Sequence, residues 1–317
     1  MARTGGDFVP GPGNGAAGWE LTVMDLHTLG REQLTHNQEQ EFLPHFSPDG
    51  TRLLYTRFAR GGYGIEDAQS YVTVYDFATA TPRDLTNTGR DAYPVWSPDG
   101  SRIAFLSTRD FAANRGGPAL WLMNADGSDP REVGRPAGGS KDVLWGDIAW
   151  SNQDWILIVV AETGASGDCF KTRLDKMRPD GTERTQVTDG GPNCTPAGRE
   201  QSGDADPAFS PDGATVYTSR GFPYSSPGLP GSTVRKLYAV ASDAWYPGKP
   251  EEDLSDSSAP DCIDGVPKAS PDARRILVFR GCAGERFGLT VTDPGGLHRT
   301  WIAEGFGADW NPAWRPR

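Results

Sequence analysis

Aligned on a recurrent serine, the chain repeats a carboxylate six residues upstream. Glu41, Asp91, Asp204, Asp264 and Asp309 share this column, and Trp145 takes it in the remaining unit. With 42 Asp and Glu among 317 residues, fewer than one acid would fall there by chance. Ten residues after the serine stand Arg57, Arg220 and Arg280, with Arg109 two places further on in its own unit. A carboxylate at one end of a β-hairpin and a guanidinium at the other can pair across the strands. Left unpaired, the same carboxylates would make a negative funnel for a cationic side chain, a peptide or a metal ion. The position two before the serine is Val95, Ala149, Ala208 and Ala313 in four units but His45 and Lys268 in the others. These two are expected to project toward a common channel, as a polar lining or as acid–base groups.

Other chemistry is thinly represented. His36, His45 and Glu41 could hold a divalent cation at the same mouth, but no ligand spacing of a known metal motif supports it, and no metal or other cofactor is expected. Gly-x-Ser-x-Gly, His-Glu-x-x-His and a Gly-rich phosphate loop are all missing from the sequence. Tyr63, Tyr224 and Trp145 could stack on sugar rings.

The elements that must position these residues are announced by Ser-Pro-Asp-Gly, at 47–50, 97–100 and 210–213, with worn copies at 151–154 and 270–273. Proline presets φ, Asp bonds its own backbone and Gly takes a positive φ, so each copy closes a tight turn between two strands. Arg52–Thr56, Arg102–Leu106, Trp155–Val159, Thr215–Thr218 and Arg275–Phe279 follow as second strands. Tyr71–Asp76, Leu120–Asn124, Thr172–Met177, Lys236–Val240 and Leu289–Thr292 read as third strands, and segments near Leu85-Thr86 and Val187-Thr188 as short fourth ones. Serine-to-serine spacings of 50, 54, 59 and 60 residues suit four-stranded propeller blades. Trp310–Arg315 repeats the run into the turn, while Glu20–Asp25 and Gln33–Thr35 read as the third and fourth strands of a blade whose second strand falls near Arg3–Val9. The expected fold is all-β: a six-bladed β-propeller of four-stranded blades, the sixth closed by both termini, in one domain over 1–317 with a Gly-rich segment at 1–18. Loops at 58–70, 163–170 and 221–233 are expected to crown one mouth.

Forty glycines and 26 prolines leave little room for helix, and no apolar run approaches the ~20 residues of a membrane span. A net charge of −11 repels phosphate backbones and disfavours nucleic acid as a partner. Of three possible cysteine pairings, the strand register favours 169–194 and 262–282, because each pair falls at one end of its blade. Bridges of this kind belong to an oxidising compartment. The stretch Met1–Gly6 lacks the apolar core of a secretory signal, so export requires one not present in this sequence.

The Trp/Phe-Ser-Pro-Asp-Gly repeats, the segment Leu122–Ser128 and the Leu-Thr blade ends resemble the TolB-type propeller repeat, from about Trp19 to Arg317. The resemblance implies a periplasmic or secreted location and a protein ligand held at one mouth of the ring. Similar repeats also occur in prolyl-oligopeptidase-like peptidases and some polysaccharide lyases, so fold alone does not choose a function. The expectation is a monomeric, non-enzymatic binding propeller that takes a protein or peptide, basic or neutral, at the acidic mouth. The alternative is a carbohydrate-active lyase or hydrolase working on an oligosaccharide there with His45, Lys268 and the acids.

Overall fold

The computed structural model describes residues 2–7, 20–25, 28, 30–37, 39–59, 69–110, 117–134, 142–144, 146–163, 170–190, 201–226, 229–243, 251–259, 262–282, 286–304 and 311–316. Within these the chain is strand and turn without helix, as its turn-rich, alternating sequence requires. Trp145, Cys169, Cys194, Asp309 and Tyr63 lie outside the described residues, and Tyr224 is placed through its backbone alone.

Each unit is an antiparallel meander. The first joins Gln40–Phe46, Arg52–Phe58, Ser70–Asp76 and Thr81–Asp84. The second joins Asp91–Trp96, Arg102–Ser107, Ala119–Asn124 and Arg131–Gly134, and the fifth Ile263–Ala269, Ile276–Cys282, Arg286–Thr292 and Thr300–Glu304. The turns behave as their composition dictates. Gly50 N–H donates to Ser47 O (2.8 Å), Ser47 Oγ to Asp49 Oδ1 (2.6 Å), and Thr51 N–H to the same carboxylate (3.0 Å). Gly50 has φ +68°, whereas the worn copies put Asp154 (+61°) and Ala273 (+58°) into the same left-handed conformation, which costs a residue with a Cβ about 1–2 kcal/mol.

Both chain ends enter one sheet. Asn311–Trp314 pairs with Ala2–Asp7 in the register Ala2↔Trp314 to Gly5↔Asn311, and that strand pairs on with Glu20–Met24, which carries Arg31–Gln33. The Gly-rich start of the chain thus becomes the second strand that the repeat required. The third and fourth units differ from expectation because they share a nine-stranded sheet. Phe170–Thr172 runs parallel to Gln201–Gly203, an approach that only glycine permits: a Cβ on Gly203 would stand 2.1 Å from Thr172 O. The expected loop at 221–233 is instead a continued ladder, since Thr215–Ser226 and Leu229–Ala241 stay paired as far as Ser226↔Leu229.

Apolar clusters fill the spaces between successive sheets. Leu54 and Val74 meet Trp96 and Phe105; Leu106 and Leu122 meet Leu144 and Ile158; Leu157 and Leu174 meet Val216 and Val240. Tyr217 and Leu237 meet Ile276 and Val278, Phe279 meets Trp314, and Leu21 with Ala313 meets Leu53 and Tyr55. Each fully buried Leu or Ile contributes roughly 1.5–3 kcal/mol, so the sheets are held face to face mainly by these clusters. The first strand of every unit also packs on the first strand of the next, and Asn311–Trp314 packs on Gln40–Phe46.

Cys262 and Cys282 form the expected disulfide. Among the described residues no helix is long and apolar enough to cross a membrane.

Candidate functional site

The inner strands are bent by a repeated bulge. Leu43, Tyr93, Asp206 and Val266, four residues before the serine and each followed by proline, have φ between +49° and +58°, and the ladder slips by one residue at each. A bulge re-aims the side chains beyond it. In the third unit the proline is replaced by Ile148 and the strand breaks between Asp142–Leu144 and Ala149–Trp150, with Gly146 at φ +67°. The break leaves Asp147 in the equivalent place.

Side chains from the first, third and fifth units meet at this level. Lys268 Nζ lies 2.7 Å from Asp147 Oδ2, and His45 Nε2 lies 3.5 Å from Oδ1, too long for a firm hydrogen bond. Asp147 is 3% exposed. Burial opposes its ionisation, but the Lys268 ammonium and then His45 outweigh burial and hold the carboxyl well below the usual carboxylate range. Burial also lowers the pKa of His45, aided by the Lys268 charge and opposed by Asp147, which keeps the imidazole neutral near pH 7. Tyr93, pushed up to about 12 by burial and by the charges of Asp147 and Asp206, stays a neutral hydroxyl beside them. Two indoles fix the backbone here: Trp96 Nε1 donates to His45 O (3.2 Å) and Trp314 Nε1 to Lys268 O (2.6 Å).

The described members of the carboxylate column are buried: Glu41 1%, Asp91 0%, Asp204 0% and Asp264 2% exposed. Asp204 sits opposite Arg220 in the ladder and receives its Nε (2.7 Å) and Nη2 (3.0 Å). Asp91 faces Ser107 and takes Ser107 Oγ (2.6 Å) and Arg109 Nη2 (2.7 Å). Asp264 faces Arg280 at 3.6 Å but lies closer to Arg299, at 2.7 Å. Blade-end threonines and serines explain why Leu-Thr recurs. Thr35, Thr86, Thr188 and Ser255 accept the N–H of Leu21, Val72, Leu174 and Leu237, and Thr35 Oγ1 in turn donates a hydrogen bond to Glu41 Oε2 of the following unit (2.9 Å).

Glu41 is the exception among the described members of the column. Its cross-strand partner Arg57 turns away to Asp84 and Glu39 (both 2.6 Å). Neutral donors remain, Thr35 Oγ1 and Asn37 Nδ2 (2.6 Å), and the second buried carboxylate nearby, Glu20, takes the Asn37 N–H (2.8 Å). Burial, reinforced by the charges of Glu20 and Glu39, pushes the Glu41 carboxyl up to about 8. It is therefore mostly protonated at neutral pH.

The structure thus brings His45 and Lys268 together around Asp147 and sets Arg220 on Asp204, whereas Arg280 hydrogen-bonds Asp256 (3.1 Å) rather than Asp264, Arg57 stands apart from Glu41 and His36 is solvent-exposed. Sequence reasoning missed Asp147, Tyr93, Asp206 and Arg299. The column four before the serine, with Tyr93, Asp147 and Asp206 among apolar neighbours, carried the signal for the first three.

Over its whole length the chain superposes on the crystal structure of TolB from Acinetobacter baumannii, covering 66% of that chain, with a TM-score of 0.69 at 15% identity. The fold is that of a TolB-like β-propeller. A putative TolB from Agrobacterium tumefaciens matches 99% of this TolB-like propeller and 95% of its own chain (TM-score 0.64, 16% identity). An oligogalacturonate lyase in complex with manganese matches 90% of it and 72% of the lyase (TM-score 0.56, 16% identity). Among curated sequences, the Tol-Pal system protein TolB of Anaeromyxobacter dehalogenans is 29% identical over 119 residues, or 38% of the TolB-like propeller. The uncharacterized peptidase YuxL of Bacillus subtilis is 28% identical over 197 residues, or 56%. The propeller spans only 25% and 29% of the lengths of these two relatives. No protein-family model matches the chain.

Proposed function

We propose that the chain is a six-bladed propeller, a single domain over 1–317 whose sixth blade is built from both ends, and that it acts as a non-enzymatic, monomeric binding module outside the cytoplasm. Six inner strands that touch in succession, the last returning to the first, support the blade count. The Cys262–Cys282 bridge supports an oxidising compartment. The ligand is a protein or peptide held at the channel mouth. In this reading Glu41, Asp91, Asp204, Asp264 and Asp309, with Arg57, Arg220 and Arg280, fix the shape of the rim, and His45 and Lys268 face the ligand beside Tyr93 and Asp206.

One observation carries the reading: His45, Asp147 and Lys268 converge from alternate units into a rigid polar floor. Asp147 is tied to Lys268 as a permanent carboxylate, which suits it to orient a ligand rather than to move protons. A net charge of −11 favours a basic partner through long-range attraction. The test is photo-crosslinking from position 93, at the floor, compared with position 297, an exposed turn. A discrete protein adduct at 93 and none at 297 is expected, and equal labelling at both sites sinks the proposal.

A second reading, a lyase or hydrolase acting on an oligosaccharide, draws on the neutral imidazole of His45 beside Asp147 and the Tyr93 hydroxyl. Polysaccharide turnover that disappears in His45→Ala would favour it over the first.

A further inference from the structure

A cavity of about 590 Å³ opens between the first and second units, with none of His45, Asp147 and Lys268 in its described lining, within the roughly 300–1,000 Å³ of small-ligand clefts. One wall holds Arg57, Tyr71 and Asp84; the other holds Arg109; Asn87 and Thr88 lie along the connection between them. Both guanidinium groups are locked before any ligand arrives. Arg57 grips Asp84 through Nε (3.1 Å) and Nη2 (2.6 Å), reaches Glu39 through Nη1 (2.6 Å), and lies over the Tyr71 ring at 4.6 Å. Arg109 is held by Asp91 and lies over Trp121 at 4.4 Å. Among the described residues no hydrogen bond engages Arg109 Nη1 or the Asn87 amide.

This pattern selects a class of ligand. Each cation already carries a carboxylate beside it, so a free ion entering the cleft would meet attraction and repulsion at nearly the same distance. A hydroxyl group has no such conflict, because it donates to a fixed carboxylate oxygen and accepts from a fixed N–H at once. The donors are also pre-organised, which spares the ordering of long side chains on binding.

We propose that this inter-blade cleft is a binding site for a neutral saccharide of about two rings, in which sugar hydroxyls bridge Asp84 to Arg57, Arg109 and Asn87. Its described lining includes none of His45, Asp147 and Lys268, although Arg57 also belongs to the proposed rim, and it stands whether or not a protein binds at the floor.

The test is isothermal titration calorimetry of the full chain with maltose, cellobiose and chitobiose, each up to about 20 mM, the range of weak millimolar affinities. At least one disaccharide is expected to bind with a millimolar dissociation constant that 1 M NaCl leaves unchanged within about twofold, since no net charge is exchanged. Asn87→Ala, an exposed change that leaves the core untouched, should weaken it by about fivefold, as expected for one lost hydrogen bond. Asp84→Asn should weaken it further, and His45→Ala should leave it as it is. The proposal is overturned if none of the three sugars binds, if salt abolishes binding, or if binding falls with His45→Ala but not with Asn87→Ala.

Discussion

Stability should decline as pH rises from about 5 to 8, and Glu41 is the residue responsible. Its carboxyl is raised from an ordinary 4.5 to about 8 in the folded chain, so between these values the native state keeps a proton that the unfolded chain has released. A group with a raised acid pKa gives its full contribution below 4.5 and loses it as pH climbs toward 8. Each pH unit inside that window removes up to about 1.4 kcal/mol, so by pH 7 the loss is up to about 3 kcal/mol. Because Glu41 is 1% exposed, solvent screening does little to soften it. The assay is urea unfolding of the wild type and Glu41→Gln at pH 5, 6, 7 and 8. Glutamine keeps a carbonyl acceptor for Asn37 and cannot ionise. The wild type should lose stability relative to the variant across the series, by about 2–3 kcal/mol between pH 5 and 7, while groups common to both cancel in the difference. A difference that stays flat across the series refutes the reasoning, and so does one that grows in the opposite direction.

Three further outcomes follow from the same structure. Asp147→Asn leaves the Lys268 ammonium buried without its carboxylate and should cost about 3–5 kcal/mol in urea unfolding, part of it recovered by adding Lys268→Met. Ala273→Gly should stabilise the fold by up to about 1 kcal/mol, read as a slightly higher melting temperature, whereas Gly50→Ala should lower it, since a Cβ there also lies 3.0 Å from Pro316 O. Replacing Cys262 and Cys282 by serine opens a loop of 20 residues and should cost about 3 kcal/mol, read as a lower unfolding midpoint that reductant reproduces in the wild type.

The strand plan was legible because turn and strand signals agreed in the five units that carry the serine turn. Ser-Pro-Asp-Gly fixed the register, and the apolar run Leu53–Tyr55 or Ile103–Leu106 after it could bury only as a strand. The split sheet was legible too, since Asn311–Trp314 lacked a following strand and Glu20–Met24 a preceding one. Harder to read were contacts between units. The parallel pairing of Phe170–Thr172 with Gln201–Gly203 depends on how closely two sheets approach, which no single-strand pattern encodes. The Arg57 side chain could not be assigned from its column alone, because Asp84 and Glu39 compete for it from positions outside the repeat. Asp147 stayed hidden because it works at a distance of 102 residues from His45 and 121 from Lys268, and only the unit that lost its proline presents it.

The hydrogen-bonded ladder between Ala2 and Trp314 has a kinetic consequence. The interior hairpins can form locally and early, but this ladder must wait until residue 314 has emerged, because it joins residues about 310 apart in sequence. Its entropic penalty grows only slowly with the length of the loop it closes, so lateness rather than weakness is its mark. A covalent linker between the two ends, with new termini opened at an exposed turn elsewhere, would convert that slow final encounter into a local one. Such a permutant should refold faster while reaching the same fold.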